Sequence, residues 1–206
     1  RWHGNGLENH SHRYTGMMLI NPFFGAGIER WFKFDGNLLN SGSLACTATL
    51  NSGSVSYSSS NANTGQSIVP AAAQILTTPT YALGTDFYVE FYATLTDNGI
   101  YNTIIGSSLT GILIGKTSYG GGKIQVNVYG NPGGGFDSAL PWADGLRHKF
   151  KITFISGEIN LYVDDILRDT GTTTITNFLY AKSEIVLFYG VGTSGGYYDD
   201  LIIHRN

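Results

Sequence analysis

Two Asp-Asp pairs and one His-x-His pair stand out as residues whose types and spacing could do chemistry. Asp164 and Asp165 lie in LYVDDI (161–166), and Asp199 and Asp200 in YYDDLIIHR (197–205). Both pairs sit inside segments that otherwise alternate like strands. Neighbouring carboxylates can serve as acid and nucleophile, as metal ligands, or as caps on the corners of a sheet. His10 and His12, in NHSHRY (9–14), are a different signal. In extended chain, residues two apart point to the same side, so both imidazoles face one way. One chain offers two ligands; three chains around an axis would offer six nitrogens, enough for an octahedral transition-metal site. A solvated histidine pair is the plainer alternative.

Exposed aromatics beside small polar groups form a second class of candidates. A sugar stacks its C–H face on an aromatic ring, while Asn, Asp and Gln take its hydroxyls. Tyr129, Asn131, Phe136, Asp137 and Trp142 gather around the NPGGG loop, and Tyr119, Tyr197 and Tyr198 adjoin other glycine-rich loops. Outward Gln125 and Asn127 would extend a groove on a sheet face. The competing reading of each ring is that it anchors its own loop.

The elements that must position these residues are strands. FYVEFYATL (87–95) places Phe87, Val89, Phe91 and Leu95 on one face and Tyr88, Glu90 and Tyr92 on the other. KIQVNVY (123–129) turns Ile124, Val126 and Val128 inward, and HKFKITFI (148–155) buries Phe150, Ile152 and Phe154 against exposed Lys149 and Lys151. Segments 158–164 and 184–189 behave alike. Period-two patterning with glycine between the runs predicts a two-sheet antiparallel sandwich over 30–206. Residues 1–29 lack sustained alternation and read as an irregular N-terminal arm. Segment 52–66, rich in Ser and Asn, has the composition of a linker but strands on both sides, which suits a long surface loop.

Composition narrows the function. Charged residues make up 13% of the chain, about half the ~25% usual in globular proteins. The net charge is −3 with no basic run, which argues against a nucleic-acid partner, since phosphate binding needs clustered Lys and Arg. Polar residues interrupt every apolar run before the ~18 residues of a spanning helix, so membrane insertion is not expected. The chain opens at Arg1 without Met or a visible secretory signal, as a processed or excised chain would. Cys46 is the single cysteine, so the chain has no internal disulfide and its redox compartment stays open. Few charges with many neutral polar and aromatic residues fit an extracellular or virion-associated protein.

WFKFDG (31–36), DGLRHKFKITF (144–154), GEINLYVDD (157–165) and the terminal YYDDLIIHR together resemble the laminin-G-like, concanavalin-A-like lectin and glucanase superfamily of jelly rolls. The resemblance covers about 30–206. It implies an all-β jelly roll, with Asp164 and Asp165 in a turn joining two strands and Asp199 and Asp200 holding loop groups near the last strand. Asp35 would have a similar status, and His148 would be structural at a strand start. The superfamily makes calcium an expectation, with Asp137, Asp199 and Asp200 as candidates, although six to eight oxygens would have to converge from separate loops. His10 and His12 resemble the H-x-H metal motifs along trimeric phage tail fibres.

Glycoside hydrolases of the superfamily carry E-x-D-x-x-E on one strand so that acid and nucleophile share a cleft. The chain has no such triplet, nor the Arg, Gln-x-His and Tyr set of its alginate-lyase branch, so no catalytic residue is expected. GTSGG (192–196) matches a nucleophile-elbow motif by letter but leads into a strand, where that motif needs a helix. The expectation is a non-enzymatic carbohydrate-recognition module: the host-glycan-binding part of a homotrimeric phage tail fibre. Two alternatives stay open: a secreted polysaccharide-active enzyme or its accessory binding domain, and a structural or adhesion protein of a particle.

Overall fold

The computed structural model describes residues 30–43, 46–78, 83, 86–106, 112–128, 134–174, 185–187 and 196–205. Every regular element among them is a strand: β1 (Arg30–Phe32), β2 (Thr47–Ser58), β3 (Ser67–Thr78), β4 (Phe87–Thr96), β5 (Asn102–Gly106), β6 (Ile112–Lys116) and β7 (Lys123–Val128), then β8 (Gly134–Pro141), β9 (Asp144–Ile155), β10 (Glu158–Val163), β11 (Ile166–Thr172), β12 (Ile185–Leu187) and β13 (Gly196–Arg205). All pairings among the described strands are antiparallel. One sheet runs β11-β10-β9-β4-β13, with β1 also on β13; the other runs β3-β12-β5-β6-β7-β8, with β2 on β3. Among the described residues a single backbone pair, Tyr198 with Ile68, joins the two. The architecture is the two-sheet sandwich that the alternation predicts.

Alternation decides which face each strand buries. On β4, Phe87, Val89, Phe91, Ala93 and Leu95 are buried, and the β9 partners of the first three are the buried Phe154, Ile152 and Phe150. Direct register brings the rings together: Phe87 stacks on Phe154 at 4.4 Å and Phe91 on Phe150 at 5.3 Å between centroids. Ile159, Leu161 and Val163 of β10 continue this layer, and Ile114, Ile124 and Val126 answer from the other sheet. Each such side chain contributes about 1.5–3 kcal/mol on leaving water.

The β2–β3 hairpin bends around the corner of the sandwich. Near its start β3 touches β13 only at Ile68, and farther on it pairs with β12 through Ile75 and Thr77. Between these lie Pro70, which has no N–H to give a neighbour, and Ala72 at φ 48. Opposite, β2 is bulged around Gly53 at φ +73, where a Cβ would stand 2.2 Å from the Ala72 carbonyl oxygen. The first part of segment 52–66, residues 52–58, is therefore strand. Its serines there reflect a hairpin arm exposed along most of its length, and the remainder, 59–66, is the surface loop.

The far edges meet as well. Asp169 of β11 accepts the Ala139 N–H of β8 at 3.2 Å, and the Phe136 ring lies where a Cβ on Gly171 would sit. Gly134 approaches so closely that its Cβ would be 2.3 Å from the Thr172 carbonyl oxygen. Backbone cannot yield there as a side chain can. Gly134→Ala is expected to part this seam and lower stability by about 1–3 kcal/mol, measured as a fall in the denaturant midpoint; an unchanged midpoint would mean that the seam is not closed in solution.

Candidate functional site

Asp164 and Asp165 form the two-residue turn between β10 and β11, closed by the Val163–Ile166 pair. Their φ angles, 53° and 63°, are the positive values that a type I′ hairpin requires, and Asp tolerates them better than most residues. Asp164 also reaches back to β9. One oxygen accepts the Lys149 N–H at 3.0 Å, and the other is 2.7 Å from Nδ1 of His148, whose Nε2 is 3.2 Å from Asp144. Both ring nitrogens face carboxylates, an arrangement that only imidazolium satisfies as a double donor. Burial pulls the His148 pKa down, but the hydrogen bonds and charges of Asp164 and Asp144 outweigh it, leaving a net rise. For Asp144 and Asp164 burial works upward, yet backbone and His148 hydrogen bonds bring both below the ordinary carboxylate value.

Asp199 and Asp200 sit in a bulge of β13, with Asp200 at φ 46. Asp199 takes the Asn63 N–H at 2.6 Å and the Thr64 N–H at 3.2 Å on one oxygen, and its other oxygen takes the Asp200 N–H at 2.9 Å. Asp200 accepts Nε1–H of Trp31 at 2.9 Å and the Asn63 amide at 2.9 Å. Asp35 joins them by accepting the Gln66 N–H at 2.8 Å. Three aspartates thus hold one loop, 59–66, onto the sheet. Burial is the main reason that the Asp199 carboxyl is pushed up to about 6, with the Asp200 charge adding to it and the backbone donors opposing.

The residues expected to bind ligand divide. Tyr119 and Asp137 come together: the Tyr119 hydroxyl donates to one Asp137 oxygen at 2.6 Å, and Nε2 of Gln125 donates to the other at 2.9 Å. The hydrogen bond to Asp137 raises the Tyr119 pKa, so the phenol stays protonated while its ring remains 57% exposed. Asn127 is half-buried one outward step farther along β7. Trp142 and Tyr198 are corrections, because neither is an exposed ring. Tyr198 pairs with Ala93 on the inward parity of β4 and is 2% exposed. Trp142 is 8% exposed, set edge-on to His148 at 5.3 Å, with the Arg168 guanidinium 5.5 Å from its ring. Tyr197 is half-buried on β13. Tyr129, Asn131, His10 and His12 lie outside the described residues. Among those described, no group of three or more His, Cys, Asp or Glu side chains is placed to hold a metal ion, so Asp137, Asp199 and Asp200 do not meet in one set.

A second surface went unread as a site. The outward positions of β4, β9 and β10 carry Tyr88, Glu90, Tyr92, Lys149, Lys151 and Tyr162. Lys151 lies 4.4 Å from the centre of the Tyr88 ring, Arg147 lies 5.9 Å from that of Tyr92, and at the sheet margin Lys33 is 4.4 Å from Trp31. The signal in the sequence was the aromatic and charged alternation of FYVEFY set beside HKFK, which reads equally well as a solvated face until register brings the strands together.

The titrations predict how stability follows pH. Asp144 and Asp164, lowered on folding, contribute stability that is lost as pH falls below about 4. Asp199 is raised, so the folded state increasingly loses ground as pH climbs from about 4 to about 6. His148, also raised, contributes fully below about pH 6.5 and less as pH passes its folded value. The melting temperature is expected to peak near pH 4 and decline toward pH 8. Asp199→Asn should flatten the decline between about pH 4 and about 6 and His148→Gln the decline above it; parallel wild-type and variant curves would refute the assignment.

No protein-family model matches the chain, and no protein of curated function does. Solved structures match its fold. Domain 4 of AbnA, an extracellular GH43 arabinanase of Geobacillus stearothermophilus solved with arabinotriose, superposes with a TM-score of 0.64 at 14% identity, covering 86% of this chain and 92% of that one. The binding domain of Paraclostridial Mosquitocidal Protein 1 gives 0.71 at 12% identity over 87% of this chain, and the binding domain of botulinum neurotoxin DC with SialylT gives 0.65 at 13% over 86%. This chain spans about half the length of the two toxin domains, 49% and 47% respectively. The chain is similar to these β-sandwich binding domains in fold, and at these identities the likeness is one of fold alone.

Proposed function

We propose that the chain is a non-enzymatic carbohydrate-recognition module acting outside the cell. The observation that carries the reading is the Tyr119–Asp137–Gln125 cluster. An exposed phenol ring is fixed by a carboxylate, and that carboxylate and a carboxamide keep acceptor capacity beside it. Fixing the ring in advance lowers the cost of ordering it when a sugar stacks there. The arabinotriose and SialylT complexes of similar folds support the same class of ligand. The aspartate pairs are occupied otherwise: one pair holds a turn and the other a loop, with oxygens already accepting backbone donors. That arrangement favours binding over glycosidase chemistry, which needs two carboxyl groups free to face a bound sugar.

A glycan array probed with the full chain tests the reading. Wild type should give discrete hits, and Tyr119→Ala or Asp137→Ala should weaken them about tenfold, equivalent to ~1.4 kcal/mol. A blank array, or hits untouched by both changes, would overturn it. Release of reducing ends from the bound glycans would favour an enzyme instead.

The finer setting that we propose is the receptor-binding part of a trimeric phage tail fibre that recognises host-surface glycans. It rests on the H-x-H pair of the arm and on a composition poor in charge and rich in Gly, Ser and Asn. His10 and His12 from three chains would supply six nitrogens for one transition-metal ion. Native mass spectrometry of metal-replete chain should give a trimer with one metal per three chains, lost on chelation and on mutating both histidines. A metal-free monomer would remove the fibre setting and leave a stand-alone lectin-like domain.

A further inference from the structure

The outward face of β4, β9 and β10 holds a cavity of about 340 Å³ lined by Lys151, Thr153, Tyr162 and Asp165. Direct register builds it. Thr153 pairs with Tyr88 on one side and with Asn160 on the other, and Lys151 pairs with Tyr162. Two polar atoms here are buried and hydrogen-bonded to nothing: Oγ1 of Thr153, in a residue 9% exposed, and Oδ1 of Asn160, in a residue 7% exposed. The Asn160 amide nitrogen is already committed to Glu158 at 2.7 Å. A buried oxygen without a donor costs about 1–3 kcal/mol. Two side by side, one of them lining a cavity, are what a hydroxyl-rich ligand would satisfy.

The cations indicate which hydroxyl-rich ligand. Lys149 is taken up by Asp165 at 2.9 Å and Glu90 at 3.5 Å. Lys151, Arg147 and Lys33 rest on the rings of Tyr88, Tyr92 and Trp31. A ring face attracts a cation without cancelling its charge, so the Lys151 ammonium stands beside the cavity as a charge still able to take an anion. Arg147, Lys149, Lys151 and, at the margin, Lys33 gather on this face of the sheet, although the chain as a whole carries −3.

We propose that this cavity is a second saccharide site, separate from Tyr119, and that it takes a pyranose bearing a carboxylate. The carboxylate pairs with Lys151, ring hydroxyls donate to Asn160 Oδ1 and exchange hydrogen bonds with Thr153 Oγ1, and the Tyr162 ring covers an apolar face of the sugar. Asp165, at the rim and bound to Lys149, accepts a further hydroxyl. The site follows from the register of one sheet and stands whether or not the Tyr119 cluster on the other sheet binds glycans.

An NMR titration of the full chain tests it with three probes: methyl glucuronide, the methyl glycoside of N-acetylneuraminic acid, and methyl glucoside as the neutral control. At least one acidic sugar should move the amides of residues 151, 153, 160 and 162 together, and the responding one distinguishes a uronate from a sialate source. Methyl glucoside should bind at least tenfold more weakly, and Lys151→Gln should weaken the acidic sugar about tenfold or more, as loss of a charged hydrogen bond predicts. Tyr119→Ala should leave this binding unchanged while weakening the array hits proposed for the other sheet. Equal binding of the neutral sugar, shifts centred elsewhere, indifference to Lys151→Gln, or loss in Tyr119→Ala would each overturn the proposal.

Discussion

The aspartate bulge of β13 is the constraint on which much of the sandwich depends. β13 pairs with β1 and β4 in one sheet and, at Tyr198, supplies a pair that reaches the other. A bulge lets one strand change direction by setting two residues against one. Tyr198 before it and Leu201 and Ile203 after it all point into the core, although a regular strand would turn Leu201 outward with Tyr197 and Asp199. The carboxylates of Asp199 and Asp200 are then buried, a costly outcome unless donors meet them. Loop 59–66 supplies those donors through Asn63 and Thr64, and Trp31 supplies another. The loop is held because the bulge needs it, and the bulge is tolerable because the loop is there.

The same economy runs through the chain. Seven of its ten aspartates accept a backbone N–H from another residue: Asp35, Asp86, Asp97, Asp144, Asp164, Asp169 and Asp199. Asp suits this work because its short side chain reaches local donors and tolerates positive φ. In a chain with few charges, acids occupied by the backbone leave few carboxylates for the cations. Aromatic faces take their place, and so lysines and an arginine come to lie over rings on the outward face of β4 and β9.

Much of the fold was legible in the sequence. The period-two runs of FYVEFYATL, KIQVNVY and HKFKITFI name the buried residues correctly because alternation is a local property of strands. The roles of Asp164 and Asp165 as a turn and of Asp199 and Asp200 as a loop clamp were legible through the resemblance of GEINLYVDD and the terminal strand to a jelly-roll superfamily. The ends of β2 were not legible, since Ser and Asn on an exposed hairpin arm look like linker. The burial of Tyr198 was hidden for a different reason. Its parity is set by a bulge two residues on, and a bulge in β13 is stabilised by a loop more than 130 positions earlier in the chain.

The two candidate surfaces differ in how they arise, and that difference explains why one was seen and the other was not. Tyr119 and Asp137 belong to neighbouring loop and strand positions, 18 residues apart, so a reading of glycine-rich loops and nearby aromatics finds them. The cavity above Thr153 and Asn160 is assembled from β9 and β10, with Tyr88 of β4 alongside, and none of its residues is unusual alone. Thr, Asn, Lys and Tyr on outward strand positions are ordinary solvated residues until register sets them side by side. Only then does burial remove water from Thr153 Oγ1 and Asn160 Oδ1 and turn two commonplace side chains into unmet hydrogen-bonding capacity. A sheet face can therefore carry a binding site with no local motif, because its specificity resides in which residues face one another across strands.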